Sequence, residues 1–153
     1  MTANEILVPP RERANAAAML QDYIGEMAQF VPDVQAGQAY PYFDLYWSEP
    51  DSRWPFWLKF DDANAGFAFA RRDQAGMQMA EFFVARQYRR RGVGLGAARR
   101  LIARFPGPWR ITQRESNGPA IAFWHRVLDG FATYDEVTTA TDAVRREQRF
   151  TFP

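Results

Sequence analysis

The chain of 153 residues contains no cysteine and a single histidine, His125. Thiol chemistry and a Cys/His zinc site are therefore excluded. Lysine is nearly absent, since 18 of the 19 basic side chains are arginine and only Lys59 is not. No apolar run approaches the roughly 20 residues of a membrane-spanning helix. The opening MTANEILVPPRER lacks the basic-then-apolar order of a secretory leader. The expectation is a cytoplasmic protein with no membrane partner, folded as one domain over residues 1–153. With 47% hydrophobic residues, such a chain can bury roughly two thirds of its unfolded surface. It needs no disulfide or metal to hold its core.

The net charge of +1 conceals an uneven distribution. Residues 82–114 carry nine arginines and no acidic residue, whereas residues 1–81 carry 12 acids and 6 bases. A basic block of this kind is either a site for a polyanion or a solvated face.

Hydrophobic periodicity gives the element order. Leu20, Tyr23, Ile24, Met27 and Phe30 recur at helical spacing, with Pro9 and Pro10 before them and Pro32 after. The stretch from Tyr40 to Phe69 holds 11 of the 24 aromatic residues. Within and after it, Arg53–Phe60, Gly66–Arg71 and Met77–Val84 read as strands joined by short polar turns, an antiparallel meander. A second helix carries Ala97, Ala98, Leu101, Ile102 and Phe105 on its apolar stripe and stops at Pro106-Gly-Pro. Trp109–Arg114 is the strand that follows, and a strand–helix–strand unit favours parallel pairing. A third helix starts near Asn117–Pro119 and buries Ala120, Phe123, Trp124, Val127 and Leu128. Strands at Phe131–Thr139 and Gln148–Phe152 complete an α+β chain with a mixed sheet. The last strand, ending at Pro153, is read as an exposed edge that would permit a homodimer.

The most informative segment is Arg89-Arg90-Arg91-Gly92-Val93-Gly94-Leu95-Gly96-Ala97. Glycines let backbone N–H groups approach a bulky anion, and a helix starting at such a loop adds a partial positive charge. Three arginines beside it can add charge-assisted bonds to phosphate oxygens. A nucleoside-triphosphate loop requires Gly-Lys-Ser/Thr, which the sequence does not contain. Gly92, Gly94 and Ala97 mimic a dinucleotide fingerprint, with Glu115 near the expected distance. That reading fails because Ala85–Arg91 separate the strand from the glycines and fewer than sixty residues remain for a doubly wound sheet.

A third pattern fits. Val84-Ala-Arg-Gln-Tyr-Arg-Arg-Arg-Gly-Val-Gly resembles the acetyl-coenzyme A loop of the GNAT (GCN5-related) N-acetyltransferases, whose signature Gln/Arg-x-x-Gly-x-Gly/Ala is matched by Arg89, Gly92 and Gly94. Downstream, Asn117-x-x-Ala120-Ile-x-Phe123-Trp124, followed by Gly130-Phe131, resembles the family's second motif, Asn-x-x-Ala-x-x-Phe-Tyr. The resemblance covers roughly residues 50–135 and, more loosely, the first helix. It implies the GNAT fold: a mixed, mostly antiparallel sheet flanked by helices, with a strand splayed at the acetyl-CoA site.

The resemblance also implies roles for residues. Acetyl-CoA would be the co-substrate, its pyrophosphate held by Arg89, Arg90, Arg91, Gly92, Val93 and Gly94, continuing to Leu95 and Gly96. The backbone of Phe83 and Val84 would pair with the pantetheine arm. Asn117 either contacts the cofactor or caps its helix. Glu81 is the candidate base, placed by strict alternation on one face with Met77, Met79 and Phe83; the other reading is a surface or ion-paired carboxylate. The N–H of Val84 is the candidate oxyanion donor. Trp124 occupies the position of the family's tyrosine acid and sits on the apolar stripe, so it lines the cofactor site, packs in the core, or both. His125 reads as a helix-surface residue.

The implied activity is transfer of an acetyl group from acetyl-CoA to a primary amine of a small molecule or peptide by direct attack. Trp124 keeps open a non-catalytic acyl-CoA-binding domain. A nucleic-acid partner is disfavoured, because the arginines surround one loop and one helix face with no recognised module beside them.

Overall fold

The computed structural model describes residues 2–153. Seven strands form one sheet in the order β1-β2-β3-β4-β5-β7-β6, with β1 Ala3–Leu7, β2 Arg53–Phe60, β3 Ala63–Asp73, β4 Gly76–Val84, β5 Gly107–Arg114, β6 Asp135–Ala140 and β7 Val144–Phe152. The helices are α1 Arg13–Met27, α2 Leu45–Ser48, α3 Val93–Arg104 and α4 Gly118–Leu128. All neighbouring strands pair antiparallel except β4 and β5, which are parallel and joined through α3. This is the mixed, mostly antiparallel sheet flanked by helices that the sequence leads one to expect.

Alternation along β2 and β3 sorts the aromatic stretch onto two faces. Phe56, Leu58, Ala68 and Ala70 turn toward α3 and α4, joining Leu101, Ile102, Trp124 and Val127. Trp57, Phe67 and Phe69 turn the other way, toward Leu20 and Ile24 of α1 and Tyr46 of α2. Both faces of the central strands are therefore covered, which is why β3 is buried continuously from Ala65 to Ala70.

Two features of β4 shape everything near its end. Its pairing with β5 is confined to Met77–Trp109, Gln78–Arg110 and Met79–Ile111, so the two strands separate beyond Met79. Its pairing with β3 slips at the same place: Ala70 faces Met79 while Phe69 faces Glu81, leaving Ala80 as the extra residue of a β-bulge. The bulge corrects the expected alternation. Met77 and Met79 point into the core beneath α3 and α4, whereas Glu81 and Phe83 are on the α1 side. One inserted residue reverses the face of every side chain after it.

Other boundaries also differ. The first helix starts at Arg13, before the expected apolar stripe, because Ala16, Leu20 and Ile24 form its buried seam. Phe131–Tyr134 are not strand: the N–H groups of Phe131 and Ala132 bond to the Leu128 carbonyl, winding the end of α4 around Gly130 at φ +74°. The C-terminal strand lies between β5 and β6, so the expectation of an edge there, and of a homodimer built on it, loses its basis. The edges are β1, missing from the expected order, and β6.

The basic block is largely neutralised by the fold. Arg99 donates to the carbonyls of Val127, Arg126 and Asp129 at the end of α4. Arg100 and Arg104 close on the buried carboxylate of Glu5 in β1. Arg110 pairs with Asp73, Arg114 with Asp33, and Arg89 with Glu26. Among the described residues only Arg86, Arg90 and Arg91 of the nine have no ion pair or side-chain hydrogen bond.

A Cβ on Gly66 would sit 2.1 Å from the Phe83 carbonyl oxygen. Gly66→Ala is expected to push β3 and β4 apart next to the splay and to lower stability by about 1–3 kcal/mol. The urea midpoint at unchanged m-value measures it.

Candidate active site

The separation of β4 from β5 leaves a groove of about 790 Å³ bounded by α1, the end of β4, the start of α3 and the start of α4. Ala85 N–H donates to Ala65 O at 2.8 Å, so strand alternation turns the N–H and C=O of Val84 away from β3 and into the gap. The Val84 carbonyl is taken by Arg89 Nε at 2.8 Å, which leaves its N–H facing the groove. Phe83 and Tyr23 form part of the wall on the α1 side, and Phe82, Phe123 and Trp124 form part of it on the other.

At the far end, α3 begins without a side-chain cap. Its N-cap is Gly92 at φ +74°, and Arg90 is also left-handed at φ +63°. Only Gly96 N–H closes onto Gly92 O, at 3.1 Å. The N–H groups of Val93, Gly94 and Leu95 are therefore free at the positive end of the helix dipole. Gly94 has a packing reason as well: a Cβ there would lie 3.1 Å from Val84 Cγ2 and 3.2 Å from Phe123.

The groove brings together Phe83, Val84, Arg89, Arg90, Gly92, Val93, Gly94, Leu95, Asn117 and Trp124 from the residues expected at a cofactor site; Arg91 and Gly96 do not line it. The Arg89 side chain is engaged inside the protein, 2.7 Å from Glu26 and over the Phe83 ring. Asn117 accepts from Ala120 N–H at 3.3 Å and so acts as the cap of α4. Trp124 is both a core residue and part of the groove wall. His125 pairs with Glu136 at 2.5 Å, outside the groove. Sequence reasoning missed Tyr23, Glu26 and Met27, because nothing in a helical stripe tells which turn faces a gap in the sheet.

Glu81 stands just behind the groove wall. Its Oε1 accepts from Tyr23 at 2.8 Å and its Oε2 from Tyr40 at 3.0 Å. It is neither a surface carboxylate nor ion-paired. Burial pushes its carboxyl up to about 7, against the two phenol hydrogen bonds and the nearby charge of Arg71. Burial and the Glu81 charge in turn hold the Tyr23 and Tyr40 phenols well above their usual range. Next to them, the buried Tyr46 hydroxyl makes no well-formed hydrogen bond among the described residues, and burial pushes it up to about 12. A second cavity, of about 900 Å³ near β5 and β7, has no comparable group. There Arg110 holds the Asp73 carboxyl down at about 2, and Arg149 pairs with Glu147.

The raised Glu81 value fixes a sign. The folded state prefers the protonated acid, so its contribution is complete below the unfolded value of 4.5 and is lost as pH rises through about 7. Relative to Glu81→Gln, the wild type is expected to lose about 3 kcal/mol across that window. Urea denaturation of both proteins as a function of pH measures the difference.

The comparisons with known proteins agree with this geometry. Residues 18–129 match the sequence model of the acetyltransferase (GNAT) family. A GNAT-family acetyltransferase from Streptococcus agalactiae superposes with a TM-score of 0.75 at 15% identity, covering 99% of this chain and 96% of that one. One from Staphylococcus aureus Mu50 gives 0.73 at 11% identity, with 99% and 100% covered. A ribosomal L7/L12 α-N-protein acetyltransferase in complex with coenzyme A gives 0.76 at 8% identity, with 99% and 95% covered. No curated protein matches the sequence. Among the described residues no helix is long and apolar enough to cross a membrane, and no group of three His, Cys, Asp or Glu side chains could hold a metal. With its family match spanning most of the chain and its fold shared end to end, this protein belongs to the GNAT acetyltransferase family.

Proposed function

We propose that the chain acts as one acetyltransferase domain, moving the acetyl group of acetyl-CoA to a primary amine of a small molecule or peptide. The observation that carries this reading is the pairing of two unsatisfied features on one groove: the free edge of β4 at Val84 and the uncapped N-terminus of α3. An extended ligand with amide groups at one end and phosphate oxygens at the other satisfies both. The N–H groups of Val93, Gly94 and Leu95 hold the pyrophosphate, with Arg90 and Arg91 as free charges nearby. Val84 pairs with the pantetheine arm, and its N–H supports the charge that develops on the thioester oxygen. Glu81, just behind the wall, takes a proton from the attacking amine directly or through water, and its raised value suits a base working near neutrality.

One observation favours a second reading. Trp124 fills the site wall with an indole packed 5.2 Å from Phe82 and 5.0 Å from Phe123, and its N–H does not give up a proton. A domain that binds acyl-CoA without transferring the acyl group would keep the groove and need no acid there.

Calorimetric titration separates these readings from others. Acetyl-CoA and coenzyme A are expected to bind, while NAD and ATP at the same concentration are not; absence of coenzyme A binding at millimolar ligand overturns both. Glu81→Gln is then expected to keep acetyl-CoA affinity within about twofold while transfer to an amine panel falls by about 10²–10⁴. Binding without transfer by the wild type to any amine supports the second reading.

A further inference from the structure

The groove passes through the sheet from one face to the other. Phe82, Phe123 and Trp124 line it on the face covered by α3 and α4, where the uncapped end of α3 lies. Tyr23, Met27 and Phe30 line it on the α1 face. In the acetyl-transfer reading the cofactor enters from the first side, along α3 and the edge at Val84. The second side is left for the acceptor.

That second side ends in an exposed aromatic ring. Phe30 follows the last turn of α1, its N–H on the Met27 carbonyl at 2.9 Å. Val31 beside it is buried and Pro32 ends the helical path, which leaves Phe30 facing outward with 37% of its surface exposed. The other exposed large apolar side chains, Ile6, Leu7, Tyr42 and Val144, do not line this groove. A large apolar side chain held in water at the mouth of a groove gains when a ligand covers it.

Charge narrows the ligand. The one carboxylate on the walls is Glu26, and Arg89 neutralises it at 2.7 Å. Arg90 and Arg126, also on the walls, have no ion pair among the described residues. Beyond the walls, Asp33 is paired with Arg114 at the end of β5, and Glu115 with Arg146. Glu81 is shared by Tyr23 and Tyr40 and serves the reacting nitrogen. A second ammonium group, charged below about pH 10, therefore meets two unpaired guanidinium groups and no free carboxylate.

Size is limited by the segment from 28 to 44, which joins α1 to α2. It is tied to both sides of the splay, through Tyr40 to Glu81 of β4 and through Asp33 to Arg114 of β5. A strap anchored on both strands admits a small amine and leaves little room for a polypeptide drawn beneath it.

We infer that the acceptor is a small monoamine with an aromatic or other bulky apolar group, seated on Phe30 and Met27, and that polyamines and peptides are disfavoured. The inference rests on the acetyl-transfer reading above and names the substrate class of that site. The amine nitrogen forms the new C–N bond as the C–S bond breaks. The products are the N-acetyl amine and coenzyme A, the proton lost by nitrogen balancing the thiol.

The test reads binding and needs no turnover. Protein saturated with coenzyme A is titrated calorimetrically with 2-phenylethylamine, butane-1,4-diamine and a tripeptide with an N-terminal phenylalanine. The arylalkyl amine is expected to bind about tenfold more tightly than either of the others. Phe30→Ala is expected to reduce its preference over the diamine by about fivefold. Phe30→Glu, which supplies the missing carboxylate, is expected to raise diamine affinity by about threefold. These are ratios between ligands on one protein, which a general loss of folded material does not move. Diamine or peptide binding as tight as 2-phenylethylamine, a ratio unmoved in both variants, or no binding of 2-phenylethylamine to the coenzyme A complex each overturns the inference and leaves the acetyl-transfer reading standing. No binding of coenzyme A to the wild type overturns both.

Discussion

Beyond Met79, strand β4 has a hydrogen-bonding neighbour on one side only. Backbone groups on its free side must find another partner, because an unpaired N–H or C=O away from water costs about as much as a lost hydrogen bond. The protein answers with Arg89 at the Val84 carbonyl and leaves the N–H open. The segment after β4 then winds through two left-handed residues, Arg90 and Gly92, before α3 begins without a side-chain cap. A strand edge in need of a partner and a helix end in need of an anion thus arise from consecutive stretches of chain. Their shared groove is a consequence of connectivity, and Gly94 lets Val84 and Phe123 pack against the helix backbone beside it.

The bulge at Ala80 is the second half of this arrangement. With regular alternation Glu81 would follow Met79 and point beneath α3 and α4, into a core of mostly aliphatic and aromatic side chains. The extra residue swings it to the α1 side, where Tyr23 and Tyr40 meet its two oxygens. Tyr23 then belongs to two environments at once, the aromatic core with Phe67 and Phe83 and the groove wall.

The sequence made the three central strands, α3, α4 and the glycine loop legible, since each carries a clean period or a residue type with one conformational use. Arg53–Phe60 coincides with β2, and Arg89, Arg90, Gly92 and Gly94 line the groove, whereas Arg91 and Gly96 of the same loop do not. What escaped reading has physical reasons. Strand β1 is five residues at an edge, and α2 is four residues inside an aromatic run, both too short for a period to show. The bulge leaves no mark in the composition, because Met77 to Phe83 alternates plausibly in either register. The arginine block misled for another reason. Its partners Glu5, Glu26, Asp33 and Asp73 lie 37 to 99 positions away in sequence. Charge counted along a segment says nothing about charge paired across a fold.

The polar cluster around Glu81 is costly by any stability criterion. A carboxyl raised to about 7 and a Tyr46 hydroxyl without a well-formed hydrogen bond sit among Phe67, Phe69 and Phe83, where apolar side chains of similar volume would pack without desolvation penalty. The surrounding structure shows that the chain can satisfy buried polar groups: Gln113 and Gln148 pair reciprocally at 2.8 and 3.0 Å in the opposite core. Glu5, almost fully buried, is closed by two arginines. No such closure is made for Glu81. Two neutral phenols hold it without fixing its charge, so either protonation state is accessible near neutrality. An arginine in place of Tyr40 would hold the carboxylate ionised across the neutral range. In the proposed reading, the instability localised at Glu81 is the physical condition for proton transfer beside the groove, and aromatic packing next to it offsets part of the cost.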